Sequence, residues 1–229
     1  MKEEDMVVKN HQRAFTLIEL LIVIAIILIL ISIALPNFLE AQGRARVARV
    51  KGDMKSIATA IEAFRTERGV LLIDFWDDGT KAASERWATK FGKVGRNPMG
   101  EYMYFEESYY PLTSPARYLT KVPYDLWNDP KRQVGFSGSE VGLGYIYFDN
   151  DPGFPGWDFA INRFFPGDPL QVSSQTKPLG EGEFAILSVG PDGFIGVSKD
   201  GKQRGMAYTP TNGTFSNGDM VYRSSGAQD

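Results

Sequence analysis

The 229-residue chain has no cysteine. Disulfides and thiolate metal sites are therefore excluded, although a location outside the cytoplasm is not. Histidine is almost absent: the one residue is His11, near the start. A chain that loses its first residues has none, which removes Ser-His-Asp and Cys-His catalysis and the usual zinc ligands. Carboxylate-only catalysis stays open in principle, but no recognisable catalytic motif accompanies it, and the chain is not expected to be an enzyme. Neither sign of charge dominates: 25 Lys and Arg stand against 28 Asp and Glu, for a net charge of −3. No broad basic field points to nucleic acid as a partner. Low-complexity tracts and internal repeats are also missing.

Polar residues are scarcest between Phe15 and Leu35, where Glu19 is the only ionisable side chain. A helix of that length rises about 31 Å, which matches a hydrocarbon core of about 30 Å. The run is too long for the apolar part of a secretory signal, and "PNFLEAQ" after it offers no small-residue cleavage site. A carboxylate inside a span is costly and is usually paired or functional. Pro36 follows and is expected to kink the helix. Beyond it, Met54, Ile57, Ile61 and Phe64 recur at helical spacing, and Gly69 is a stop signal. The stripe predicts the face that packs on a soluble domain. The basic run Arg44, Arg46, Arg49, Lys51 and Lys55 predicts a solvated face, with neighbouring subunits or lipid headgroups as weaker alternatives.

The segment "RAFTLIELLIVIAIILILISIALPNF" resembles the N-terminal cleavage and methylation motif of type IV pilins and type II secretion pseudopilins. The resemblance implies a leader, residues 1–14, removed by a prepilin peptidase between Ala14 and Phe15, with N-methylation of Phe15. Ala14 stands where the family usually has glycine. The span, residues 15–36, would stay on the protein and continue as an amphipathic helix over residues 37–69. Glu19 is one helical turn from Phe15 and in the first turns, where the helix dipole favours an anion. Cleavage would give it a partner, the new α-ammonium of Phe15. In the family that amine belongs to a neighbouring subunit and the pair sets assembly register. Position alone leaves an intramolecular pair equally open. The basic residues after the span outnumber Lys2, Lys9 and Arg13 before it, which by the positive-inside rule would put the C-terminal side in the cytoplasm. The cleavage motif requires the reverse and takes precedence.

Residues 70–229 are expected to form an α+β, pilin-like globular domain: the long N-terminal helix packed on a C-terminal antiparallel sheet. Residues 70–110 read as a connecting region with a short helix at 80–91. Strands are predicted at 144–149, 183–190, 194–198 and 219–223. "YLTKVPYDLWNDP" before "GYIYF", and "FAILSVGPDGFIG", are similar to segments of major, G-type pseudopilins, although 70–110 and 150–182 look like insertions. That resemblance implies a calcium ion, for which Ser188, Asp192, Asp200 and Asp219 are the candidate ligands and Asp149-Asn150-Asp151 a rival cluster. The Asp-Gly pairs at 192 and 200 are equally readable as turns.

The expected function is a pseudopilin: a structural subunit of a type II secretion filament. It would be anchored by one pass in a bacterial inner membrane, with its C-terminal domain in the periplasm and the filament in the periplasm or at the cell surface. Its partners would be further copies, minor pseudopilins, the prepilin peptidase, the inner-membrane assembly platform and the lipid bilayer. The alternatives are a type IV pilin for adhesion, motility or DNA uptake, and a membrane-anchored binding module that never polymerises.

Overall fold

The computed structural model describes residues 15–74, 85–86, 89, 91, 105–128, 144–151, 178–193, 208 and 218–226. The leader, Ala14, Asp200, the strand expected at 194–198 and most of 80–91 lie outside them. From the last stretch, Glu85, Arg86, Thr89 and Phe91 are described, all helical.

One helix, α1, runs Leu17–Arg68 and continues through Pro36 without a break. Two compact units share it, meeting at Gln42 and Gly43. In the first unit every described residue is exposed, including the apolar side chains from Phe15 to Leu39. This is the one helix among the described residues long and apolar enough to cross a membrane. Local bonds spare its polar side chains: Ser32 Oγ donates to the Ile29 carbonyl (2.7 Å) and Asn37 Nδ2 to that of Ile33 (3.4 Å).

In the second unit α1 buries Val50, Met54, Ile57, Ala58, Ile61 and Phe64. The predicted stripe is therefore its core face. Gly69 ends the helix at φ 73°, its N–H donating to Arg65 O at 2.8 Å. Glycine adopts that left-handed conformation without strain.

Three strands form an antiparallel sheet in the order β1 (Ile146–Asp149), β2 (Phe184–Ser188), β3 (Met220–Arg223). Ile146 faces Leu187 across the first ladder, and Leu187 faces Val221 across the second. These residues pack with Phe105, Leu179 and Val189 on one side of the sheet. Tyr147, Ile186 and Met220 alternate to the other side and join the α1 residues, Leu71 and Leu72. A sheet covered on both faces explains why β1 and β2 are apolar nearly throughout rather than alternating.

Two expectations need correction. The region 70–110 is more than a connection: it supplies buried Leu71, Leu72 and Ile73 and enters a 3-10 helix, Phe105–Leu112, whose Phe105, Tyr109 and Leu112 are fully buried. The strands are also shorter than expected. Gly144 makes only an isolated bridge to Tyr124, and Val189 and Gly190 have left the ladder.

Candidate assembly site and polar core

The first turn of α1 is built from Thr16 and Glu19. Glu19 Oε2 accepts from the Thr16 N–H (2.8 Å) and from Thr16 Oγ1 (2.7 Å), while the Glu19 N–H donates to Thr16 Oγ1 (3.3 Å). This is a capping box, in which two otherwise orphaned backbone donors are satisfied reciprocally. The sequence reading assigned Glu19 a partner amine and missed this role, although T-x-x-E ahead of an apolar run is a legible signal. In the uncut chain Phe15 has no free amine. Thr16 engages Oε2 only; among the described residues Oε1 accepts no hydrogen bond.

The basic run past the span is the expected exposed face: Arg44, Arg46, Arg49, Lys51 and Lys55 are all open to solvent. Arg46 lies over Trp127, with Cζ 5.5 Å from the ring centroid. Arg49 pairs with Asp53 at 3.8 Å, and Asp53 accepts from Tyr145 Oη at 3.3 Å. Arg46 thus reaches from α1 to the loop that carries Trp127, whereas Arg49 pairs along the helix itself.

Asp125, in the loop after the 3-10 helix, is the buried acid at the centre of this polar core. Its Oδ1 accepts from Trp127 N (3.0 Å) and its Oδ2 from Val189 N (3.0 Å). Burial pushes its pKa up to about 6, while these bonds, one from Ser188 included, oppose the rise. Burial raises the nearby Tyr109 and Tyr145 phenols as well, with the Asp125 charge adding to it. Asp125 was not singled out from sequence, because an Asp between Tyr and Leu in a Pro-rich segment looks like any turn residue.

A second polar cluster closes the sheet. Arg223 Nε and Nη2 each donate to the Glu183 carboxylate at 2.7 Å, and Ser225 Oγ adds a bond at 2.6 Å. Hydrogen bonds from Arg223, Ser225 and Gly180, with the Arg223 charge, outweigh desolvation and hold Glu183 down to about 2. Arg65 of α1 reaches the same corner, donating to Gly182 O at 3.0 Å.

Of the calcium candidates, Ser188 ends β2, fully buried, and its Oγ accepts from Gly190 N at 3.3 Å. Asp192 Oδ2 accepts from Gly218 N at 2.9 Å, which brings Asp192 beside the chain neighbour of buried Asp219. Among the described residues no group of three or more His, Cys, Asp or Glu is arranged to hold a metal. The rival cluster is engaged otherwise: Asn150 closes the β1–β2 end through Glu183 O and Leu179 O, and Asp151 pairs with Arg86 at 2.6 Å.

A capped apolar helix leading into a helix-on-sheet domain defines a membrane-anchored subunit of pilin-like build. Residues 9–35 match the model of the prokaryotic N-terminal methylation motif. The chain is 28% identical over 161 residues to type II secretion system core protein G of Pseudomonas aeruginosa, covering 66% of this chain and 98% of that one. It is 40% identical over 87 residues to fimbrial protein EcpB of Eikenella corrodens, covering 38% of this chain and 54% of the relative. With type IV major pilin protein PilA of Myxococcus xanthus, 48% identity extends over 58 residues, 25% of this chain and 26% of that one. It therefore spans nearly all of the first relative, about half of the second and a quarter of the third. No solved structure matches. The chain is thus similar to type IV pilins and type II secretion pseudopilins.

Proposed function

We propose that the chain is a non-catalytic structural subunit, a major pseudopilin, of the filament of a type II secretion system. The observation that carries this reading is the likeness over 161 residues and 98% of a core protein G, a length well beyond that of the 52-residue N-terminal helix. A prepilin peptidase cuts between Ala14 and Phe15, Phe15 is N-methylated, and the domain lies in the periplasm. Copies of the chain, with minor pseudopilins, are drawn from the inner membrane by an assembly platform. Glu19 Oε1 is left to accept the Phe15 amine of a neighbour while Thr16 keeps Oε2. The test is deletion and complementation in the native cell. Loss of export without loss of surface fibres supports the reading; loss of fibres, adhesion or motility with export intact points to a type IV pilus instead.

A calcium ion held by Ser188, Asp192, Asp200 and Asp219 is part of the proposal. Its support is the bond from Gly218 N to Asp192 Oδ2, which brings two of the carboxylate segments together. Bound there, the ion would supply positive charge, and the hydroxyl and carboxylate oxygens of these residues would coordinate it. Chelation with EGTA should lower the thermal midpoint of the purified chain and calcium, not magnesium, should restore it. An unchanged midpoint removes the ion from the account.

A further inference from the structure

Beyond α1, the described large hydrophobic side chains that stand open to solvent are Tyr124 (59% exposed) and Leu126 (41%). Both belong to the short loop 121–127, which also carries exposed Lys121. Three anchors hold these side chains out. Asp125, between them, is buried and accepts from Trp127 N and Val189 N, both at 3.0 Å. Tyr124 makes the bridge to Gly144. Trp127 packs against both core clusters, with the Arg46 guanidinium over its ring. The surface is thus apolar at its centre and basic at its margins, from Lys121 and Arg46.

The same domain has a surface of opposite character. In the last turns of α1, Thr59, Glu62, Ala63, Thr66 and Glu67 are open to solvent. Thr59, Ala63 and Thr66 share one face at helical spacing. Their short side chains leave room between Glu62 and Glu67. Arg65, in the same turn, donates to Gly182 O at 3.0 Å and so brings exposed Glu181 to this end of the helix. Glu62 follows Arg46 by sixteen residues, about 24 Å of helical rise. The two surfaces are therefore separate patches, and one copy cannot join its own pair.

We infer that the two patches meet between copies of the chain: Tyr124 and Leu126 of one copy seat on Thr59, Ala63 and Thr66 of the next, with Lys121 against Glu62. The charges around the two patches are opposite, which selects this pairing over loop against loop or helix against helix. Bulky apolar side chains meet short ones, so the helix does not hold the loop away. The patches differ, so the contact is heterologous. It leaves one patch of each kind open at the two ends and repeats without closing. That is the contact a filament subunit needs, and the inference rests on the filament reading. Two large apolar side chains bury too little surface for a stable pair in dilute solution. The contact therefore forms where anchored copies are concentrated in one bilayer.

The chain has no cysteine, so introduced thiols report alone. Full-length Leu126→Cys copies are co-expressed in the native cell with Ala63→Cys copies that carry a second tag. Filaments are pelleted and oxidised with copper phenanthroline. A mixed disulfide between positions 126 and 63 should form at least about five times faster than one between 126 and an Ala48→Cys copy, because only a held pair keeps its Cα atoms within about 7 Å. Lys121→Glu in the first copy should lower the rate to that of the control. Glu62→Lys in the second copy should then restore it, which a variant that merely misfolds would not allow. Equal rates at 63 and 48 overturn the inference. A disulfide between two copies of position 126 as the main product also overturns it, and assigns the loop to a two-fold contact. Pelleted filaments in which position 126 stays a free thiol overturn this inference alone; a chain that never pellets overturns the filament reading with it.

Discussion

At the residue scale, Glu19 combines two roles that different substitutions can separate. Its side chain caps α1 through Thr16 and carries the charge proposed to meet a neighbour's amine. Glu19→Gln keeps an oxygen for the cap and removes the charge. Thr16→Ala keeps the charge and loses the reciprocal bonds, at a cost of about 1 kcal/mol. Processed E19Q subunits should stay in the membrane and fail to enter filaments beside wild type. T16A subunits should enter them, with faster hydrogen exchange confined to the first turn of α1. E19Q incorporation at the wild-type level, read by co-purification with tagged filaments, would refute the charge role. Asp125 offers a different test. Its folded pKa, about 6, lies above the ordinary 3.8, so the folded state binds its proton more tightly than the unfolded chain. Its contribution to stability is therefore greatest below about pH 4 and falls as pH rises through about 6. Relative to Asp125→Asn, wild type should lose up to about 3 kcal/mol across that window in urea unfolding. Glu183 has the opposite sign. Its pKa is depressed to about 2, so its stabilisation is present above the ordinary carboxylate range and is lost as pH falls toward that value.

At the scale of elements, close approaches set the tolerance of the sheet's end. Gly190 has φ 69°, and a Cβ there would lie 2.0 Å from Gly218 O. Gly69 has φ 73° with open space around it. Gly69→Ala should cost about 1–2 kcal/mol, the left-handed penalty alone. Gly190→Ala adds a backbone collision and should lower the thermal midpoint several times further, as read by circular dichroism. Similar shifts for the two would mean that the β2–β3 end relaxes freely. The same contrast explains what was legible in the sequence. The stripe from Met54 to Phe64 and the glycine stop were readable because helical period and left-handed glycine are local properties. The sheet was readable in its runs but not in its edges. Ladder ends are set by partners: Gly144 leaves β1 where the 3-10 helix crosses it and Glu106 Oε2 accepts its N–H. That 3-10 helix, with Pro111 inside it, carries no periodic signal, and Asp125 and the Arg223–Glu183 pair depend on contacts distant in sequence.

At the scale of the whole molecule, the orientation of the chain and the processing of its end are one question. The basic collar after the span pulls toward the cytoplasm by the positive-inside rule, whereas a peptidase cutting before Phe15 must find that residue there. Partial use of the collar inside the domain reduces the conflict. Arg46 lies over Trp127, so part of the charge is engaged by the folded domain, while Arg49 pairs with Asp53 along α1. A collar that folds with its domain acts less as a free topogenic signal than the same residues in an extended loop. Membranes from the native cell should then yield a chain beginning at N-methylated Phe15, with the domain digested by protease added from the periplasmic side. Ala14→Gly should accelerate the cut without moving it, since glycine is the residue usual in the family at that position. Co-expressing a catalytically dead peptidase should leave the fourteen-residue leader in place and the domain on the same side. If the uncut chain instead exposes its domain to the cytoplasm, cleavage rather than the collar would be setting the topology.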